Sequence, residues 1–138
     1  MKHKLDVIYL GLTVLLALVA VAGPGARAQS PNRAGLLVRF GDGTVITRCV
    51  EFSEAEINGY ELLQRSGLAV VAAFDLGPGA AICKIEHQGC PASNCFCASP
   101  PDFWSYWFMV NGQWQFSALG CSNRTLSNGD MDAWSWGP

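Results

Sequence analysis

The sequence predicts an α+β fold, a mainly antiparallel sheet of six or seven strands with one covering helix. Three observations carry that expectation. Apolar runs of strand length recur between Gly, Asn and Asp turns, and a single segment has helical spacing. The third is that six cysteines crowd a chain of only 138 residues. With 50% apolar and 14% charged residues, the chain is too apolar and too rich in aromatics for intrinsic disorder. Its length suits one domain. A net charge of −2 without any Lys/Arg run argues against nucleic acid as a partner.

The amino terminus reads as a targeting segment. Lys2 and Lys4 precede an almost unbroken apolar run from Val7 to Ala22, which Gly23-Pro24-Gly25 then breaks. Ala26-Arg27-Ala28 is an A-x-A cleavage pattern. The sixteen-residue run is shorter than the ~20 apolar residues of a membrane-spanning helix. Residues 1–28 are therefore expected to be a signal peptide, touching a membrane only if left uncleaved. Residues 29–35 follow as a polar tether, and 36–138 as one secreted, periplasmic or cell-surface domain. Beyond the leader lie six basic and ten acidic groups, a net charge of −4.

Leu36 to Phe40 reads as the first strand, and Gly41-Asp42-Gly43 as a hairpin turn leading into Thr44–Phe52. Ser53 and Glu56 form an S-x-x-E capping box, which predicts a helix over about 53–66 closed by Gly67. Ala55, Gly59, Leu62 and Leu63 would be its buried side. Leu68–Phe74 and Ala80–Glu86 are two further strands around Gly77-Pro78-Gly79. Residues 87–102, with three cysteines, three prolines and no periodicity, read as a stapled loop. Phe103–Val110 alternates, Asn111-Gly112 is a strong hairpin signal, and Gln113–Phe116 alternates back. Asn128-Gly129-Asp130 turns into a last strand, Met131–Trp136.

All six cysteines, Cys49, Cys83, Cys90, Cys95, Cys97 and Cys121, lie beyond the leader and read as a disulfide framework. Cys95 and Cys97 are too close to pair, which leaves twelve of the fifteen pairings open. His87 with Cys90, Cys95 and Cys97 could supply zinc-type ligands. Their spacing departs from paired C-x2-C motifs, and thiols in an oxidising compartment pair, so no metal is expected. Catalysis finds no support either. His87 is the one histidine beyond the leader, no G-x-S-x-G elbow occurs, and Glu54 and Glu56 suit a helix start. Asn123-Arg124-Thr125 is a glycosylation sequon in a eukaryotic host.

The aromatic residues say more. Trp104, Trp107, Trp114, Trp134 and Trp136 all fall in the last 35 residues. Alternation places Trp104, Tyr106 and Phe108 on one face of their strand, and Phe103, Trp107 and Met109 on the other. One face can enter the core; the other must be covered or exposed, and exposed aromatic surface marks a ligand or partner site. The expectation is a non-enzymatic binding module for a small apolar ligand or an envelope protein. Its candidate site residues are Trp104, Tyr106, Trp107, Phe108, Met109, Trp114 and Leu119. The competing reading is a structural cell-envelope domain without a ligand, its rings all core. Exposure of Trp107 and Trp114 separates the two.

Tyr106-Trp107-Phe108-Met109, Asn111-Gly112, Leu119-Gly120-Cys121-Ser122 and Ser127-Asn128-Gly129-Asp130 together resemble the transcobalamin C-terminal-like domain. In that family a Y-W segment starts a hairpin, a G-x-S segment follows, and a G-D turn precedes the closing strand. The upstream Gly41-Asp42-Gly43-Thr44, helix and strand are similar to bacterial stand-alone members, so the likeness spans roughly Leu37 to Trp136. Arg124 stands where the family usually has a tyrosine. In transcobalamin and intrinsic factor this domain covers one face of cobalamin, and a helical barrel covers the other. The resemblance thus implies a binding module with no cofactor of its own. It would present Trp107, Phe108, Met109 and Leu119 to a corrinoid-like ligand such as cobalamin without enclosing it.

Overall fold

A computed structural model describes residues 30–138; the expected signal peptide lies outside the described residues. In chain order the elements are β1 (Asn32–Arg39), β2 (Val45–Phe52), β3 (Ile57–Asn58), α1 (Gly59–Arg65), β4 (Val70–Ala73) and β5 (Ala81–Ile85). They continue with β6 (Gln88–Gly89), β7 (Phe103–Val110), β8 (Gln113–Phe116), β9 (Thr125–Leu126) and β10 (Met131–Gly137). A five-stranded sheet has the order β2-β1-β10-β7-β8, beside small sheets β3-β9 and β4-β5-β6. The fold is mostly β with one helix, as the sequence predicts. The large sheet is mixed, because β1 pairs in parallel with β10, Val38 beside Trp134, while its other pairs are antiparallel.

The turns form where their residues dictate. Gly43 takes φ +88°, and the Asp42 carboxylate accepts the Thr44 N–H at 2.8 Å, closing the β1–β2 hairpin. Asn111 and Gly112, at φ +51° and +77°, do the same between β7 and β8. Two boundaries differ most from the sequence reading. β1 starts at Asn32, inside the expected tether, because the polar residues there serve the sheet. Arg33 pairs with Glu51 across β2, its N–H donates to Asn128 Oδ1, and Ala34 is buried. The helix starts later than Ser53. Ile57 first buries itself in β3 against β9, and Asn58 and Glu61 then form the capping box: Asn58 Oδ1 accepts the Glu61 N–H at 3.0 Å and Glu61 Oε2 the Asn58 N–H at 2.8 Å. Ala55 is therefore exposed and outside the helix. Gly67 closes the end at φ +80°, as expected.

One face of the large sheet is the core. Leu36, Val38, Tyr106 and Trp134 pack with Leu62 and Leu63 of α1 and with Ile82 and Ile85 of β5. Burying each such aliphatic side chain is worth about 1.5–3 kcal/mol. The opposite face carries Leu37, Ala133, Trp107 and Met109, and the more exposed Trp114 and Met131.

Two disulfides, Cys83–Cys95 and Cys90–Cys97, staple the loop after β5, and Cys95 and Cys97 indeed do not pair with each other. Such bridges belong to an oxidising, extracytoplasmic environment. Cys49 and Cys121, expected in the framework, are free. They lie on opposite sides of the large sheet. Cys49 points outward from β2 beside the buried Val50, and Cys121 is sealed in the core.

Candidate functional site

β7 is longer than its hairpin partner, and the site follows from that mismatch. β8 pairs only with Trp107–Val110, and Ser117 extends the ladder by donating its N–H to the Tyr106 carbonyl at 2.9 Å. The first half of β7 is left for other elements to face. The chain from Phe116 to Thr125 folds back across this end of the sheet, held by three contacts. Gly120 N–H donates to Pro78 O, Cys121 N–H to Ala80 O, and Ala80 N–H to Ser122 Oγ. Gly120 and Gly79 meet backbone to backbone: a Cβ on Gly120 would lie 2.5 Å from the Gly79 carbonyl carbon. The G-x-S segment is thus a clamp between two loops.

The clamp leaves a cleft on each side. One, of about 220 Å³, runs along Phe103–Tyr106 and is bordered by Leu76, Phe96, Phe116 and Leu119, with Trp134 in its wall. The other, of about 440 Å³, lies between Phe108 and the segment from Phe116 to Thr125. Phe116 and Leu119 line both clefts and are 51% and 52% exposed, high for rings and branched chains of that size.

Beneath the second cleft a polar cluster fixes the loop. Asp132 is fully buried on β10; it accepts the Tyr106 hydroxyl and, at 2.9 Å, Arg124 Nε. Burial pushes the Asp132 carboxyl above its ordinary range, against the opposing pull of these two donors. Burial, and then the Asp132 charge, drive the Tyr106 phenol well above its usual value. Burial also pushes the Cys121 thiol up to about 12. At neutral pH the phenol and thiol keep their protons, and the hydrogen bonds of the cluster hold the loop to the sheet. Arg124 also lies over the Phe108 ring, 4.6 Å from its centroid, so one side chain ties the loop to the sheet by charge and by stacking.

The seven expected site residues divide among three places. Trp104 and Tyr106 are buried on the core face, where they form the inner wall of the smaller cleft. Phe108 and Leu119 come together at the larger cleft. Trp107, Met109 and Trp114 lie on the other face of the sheet; Trp114 is 38% exposed and Trp107 half-buried, its ring edge-on to Phe116. Phe116, Leu76, Phe96 and Trp134 belong to the clefts but are outside the expected site set, although Trp134 is one of the five clustered tryptophans. The alternation of Gln113–Phe116 pointed to Phe116; Leu76 and Phe96 sit in irregular loops with no periodic signal. His87 stacks on Phe40 at 5.1 Å and lines neither cleft.

Among the described residues one buried side-chain polar atom lacks a partner, Trp134 Nε1. Leaving such a donor unpaired costs about 1–3 kcal/mol.

No protein-family model matches the sequence, and no curated protein matches it. In structure the chain is similar to the crystal structure of a "putative metal binding protein" from Ruminococcus gnavus ATCC 29149, with a TM-score of 0.52 at 17% identity. The match covers 76% of this chain and 95% of that one. At this identity the likeness is one of fold. Among the described residues no three His, Cys, Asp or Glu side chains converge as metal ligands.

Proposed function

We propose that this chain is an exported, disulfide-stabilised, non-enzymatic binding module that holds a small apolar or corrinoid-like ligand at the end of its aromatic hairpin. The observation that carries the reading is the pair of clefts sharing the exposed Phe116 and Leu119. A monomeric domain gains nothing in stability from leaving two large apolar side chains half in water beside open clefts. The exposed Trp114 and half-buried Trp107 favour a ligand site over a ligand-free structural role, in which the rings would all be core. The resemblance to the transcobalamin C-terminal-like domain supports a site at Phe108 and Leu119, whereas Trp107 and Met109, which it implies beside them, lie on the other face of the sheet. Arg124 stands at the position usual for a tyrosine, and here that residue is engaged with Asp132 and Phe108. A corrinoid would be laid against the hairpin, because neither cleft is large enough to enclose it; a smaller apolar molecule would enter. The structural neighbour's description as metal binding finds no matching ligand cluster among the described residues of this chain.

Tryptophan fluorescence tests the reading, because Trp104 and Trp134 line one cleft and Trp107 lies edge-on to the shared Phe116. The oxidised protein is titrated with cobalamin, cobinamide and the apolar dye 1-anilinonaphthalene-8-sulfonate. The expected result is a saturable change with at least one of them at micromolar concentration, weakened severalfold by Phe116→Ser. A linear response with all three would leave the structural envelope role standing instead.

A further inference from the structure

β8 ends before its partner does, and the smaller cleft begins where it ends. Trp107 pairs with Phe116, and the Ser117 N–H donates to the Tyr106 carbonyl at 2.9 Å. There the chain leaves the sheet, because the Ser117 hydroxyl accepts the Leu119 N–H at 3.2 Å and donates to the Leu119 carbonyl at 2.9 Å. Unbroken register would have set Leu119 opposite Trp104. On a strand, the main-chain groups of residues two apart point to the same side. Those of Trp104 therefore point, like the Tyr106 carbonyl, away from β10 and toward the line that β8 has left. Among the described residues neither the N–H nor the carbonyl of Trp104 has a partner. The edge from Phe103 to Ser105 borders the smaller cleft, whose wall also holds Leu76, Phe96, Phe116 and Leu119 and no charged side chain.

A donor and an acceptor side by side on one residue match the two main-chain groups of one extended peptide residue. An apolar lining with no ion to pair favours uncharged side chains on that peptide. The open edge spans about 10 Å, which a short extended stretch covers. We infer that the cleft receives an extended, uncharged segment of another polypeptide, which adds to β7 by pairing one residue with Trp104. Its apolar side chains lie against Phe116 and Leu119, along the line that β8 follows further on. The inference goes beyond the small-ligand reading: it rests on main-chain groups, and it stands even if neither a corrinoid nor the dye binds.

Amide exchange and amide shifts of the full oxidised protein test it. Without peptide, the Trp104 amide is expected to exchange with solvent about tenfold faster than that of Phe108, which β8 holds. The probe is acetyl-Val-Leu-Val-amide, which is expected to move the Trp104 amide proton downfield saturably and to slow its exchange. Two analogues carry one N-methyl group, on the leucine or on the second valine. Adjacent residues of a strand direct their N–H groups to opposite sides. One analogue should therefore bind about tenfold more weakly, and the other nearly as well as the parent. Leu119→Asp, at the exposed rim, is expected to weaken the parent peptide about tenfold without lowering the unfolding temperature. Equal protection of the Trp104 and Phe108 amides in the free protein would overturn the inference. So would a Trp104 amide that stays fixed with peptide, or equal weakening by both methyl groups. A Trp104 shift that follows protein concentration in place of peptide would overturn it in favour of a second copy. Shifts confined to Arg124 and Thr125, in the larger cleft, would overturn it while leaving the small-ligand reading intact.

Discussion

Gly59 shows how closely the residues at the helix start are fitted. It is the first residue of α1, where alanine ordinarily stabilises a helix by up to about 1 kcal/mol relative to glycine. Here a Cβ would lie 2.5 Å from the Tyr106 hydroxyl oxygen, 2.8 Å from the Cys121 carbonyl oxygen and 3.1 Å from Asp132 Oδ2. Two of those three atoms belong to a buried, hydrogen-bonded pair that has little freedom to retreat. Overpacking of this kind costs about 1–3 kcal/mol, so it outweighs the propensity gain. Gly59→Ala is expected to lower stability by about 1–2 kcal/mol net, read as a lower urea midpoint with unchanged slope. An increase in the midpoint would mean that the Tyr106–Asp132 pair moves aside freely. The same cluster explains why the site was only half legible from sequence. Tyr106 and Asp132 carry ordinary pattern signals, an alternating aromatic and a polar residue near a turn. Nothing in their spacing announces that they meet Arg124 and the helix start in one buried knot.

At the scale of elements, α1 is short and is held at both ends by side chains from outside its own turns. Its seven residues are fewer than an isolated helix needs, so capping and packing must hold it. At its far end Arg65 donates to both oxygens of Glu54, at 2.8 and 3.0 Å, tying the helix back to the end of β2. Its side-chain hydrogen bond with Arg65 is the main reason Glu54 is held at about 2 instead of the usual 4.5. A lowered acid gives stability that is complete above its unfolded value and disappears as pH falls through its folded one. Stability from this pair is therefore expected to fade between pH 4.5 and about 2. Glu54→Gln should narrow the difference in unfolding temperature across that interval, and the two proteins should converge near its lower end. Because both groups are exposed, added salt should shrink the effect. Parallel curves across the interval would show that the pair contributes nothing. The sequence placed this helix but gave its start to Ser53 and Glu56, since S-x-x-E and N-x-x-E are both valid boxes. Tertiary burial of Ile57 decided between them, and no local pattern contains that information. The β7–β8 hairpin was legible to the residue because alternation and Asn-Gly are local signals. The clefts were not, because Leu76, Phe96 and Leu119 come from three separate loops.

For the molecule as a whole, the two free thiols divide inside from outside. Cys49 faces solvent on β2, whereas Cys121 is 1% exposed with its thiol pushed up to about 12. Without reductant, iodoacetamide is expected to modify Cys49 in the native protein and Cys121 only as the whole structure opens. Labelling of Cys121 against urea should then trace the same transition as tryptophan fluorescence. Early labelling of Cys121 would show that the loop from Phe116 to Thr125 lifts off by itself. The connectivity of the large sheet has a temporal side. One of its inner pairs joins β1, early among the described residues, to β10, late among them, in parallel. Contacts that distant in the chain are slow to form, and these cannot form at all until the final residues are available. A polypeptide emerging from a channel amino end first could pair β1 with β2 early, but the other edge of β1 would stay open until β10 emerged. The fold itself would thus delay completion of the sheet until β10 arrives.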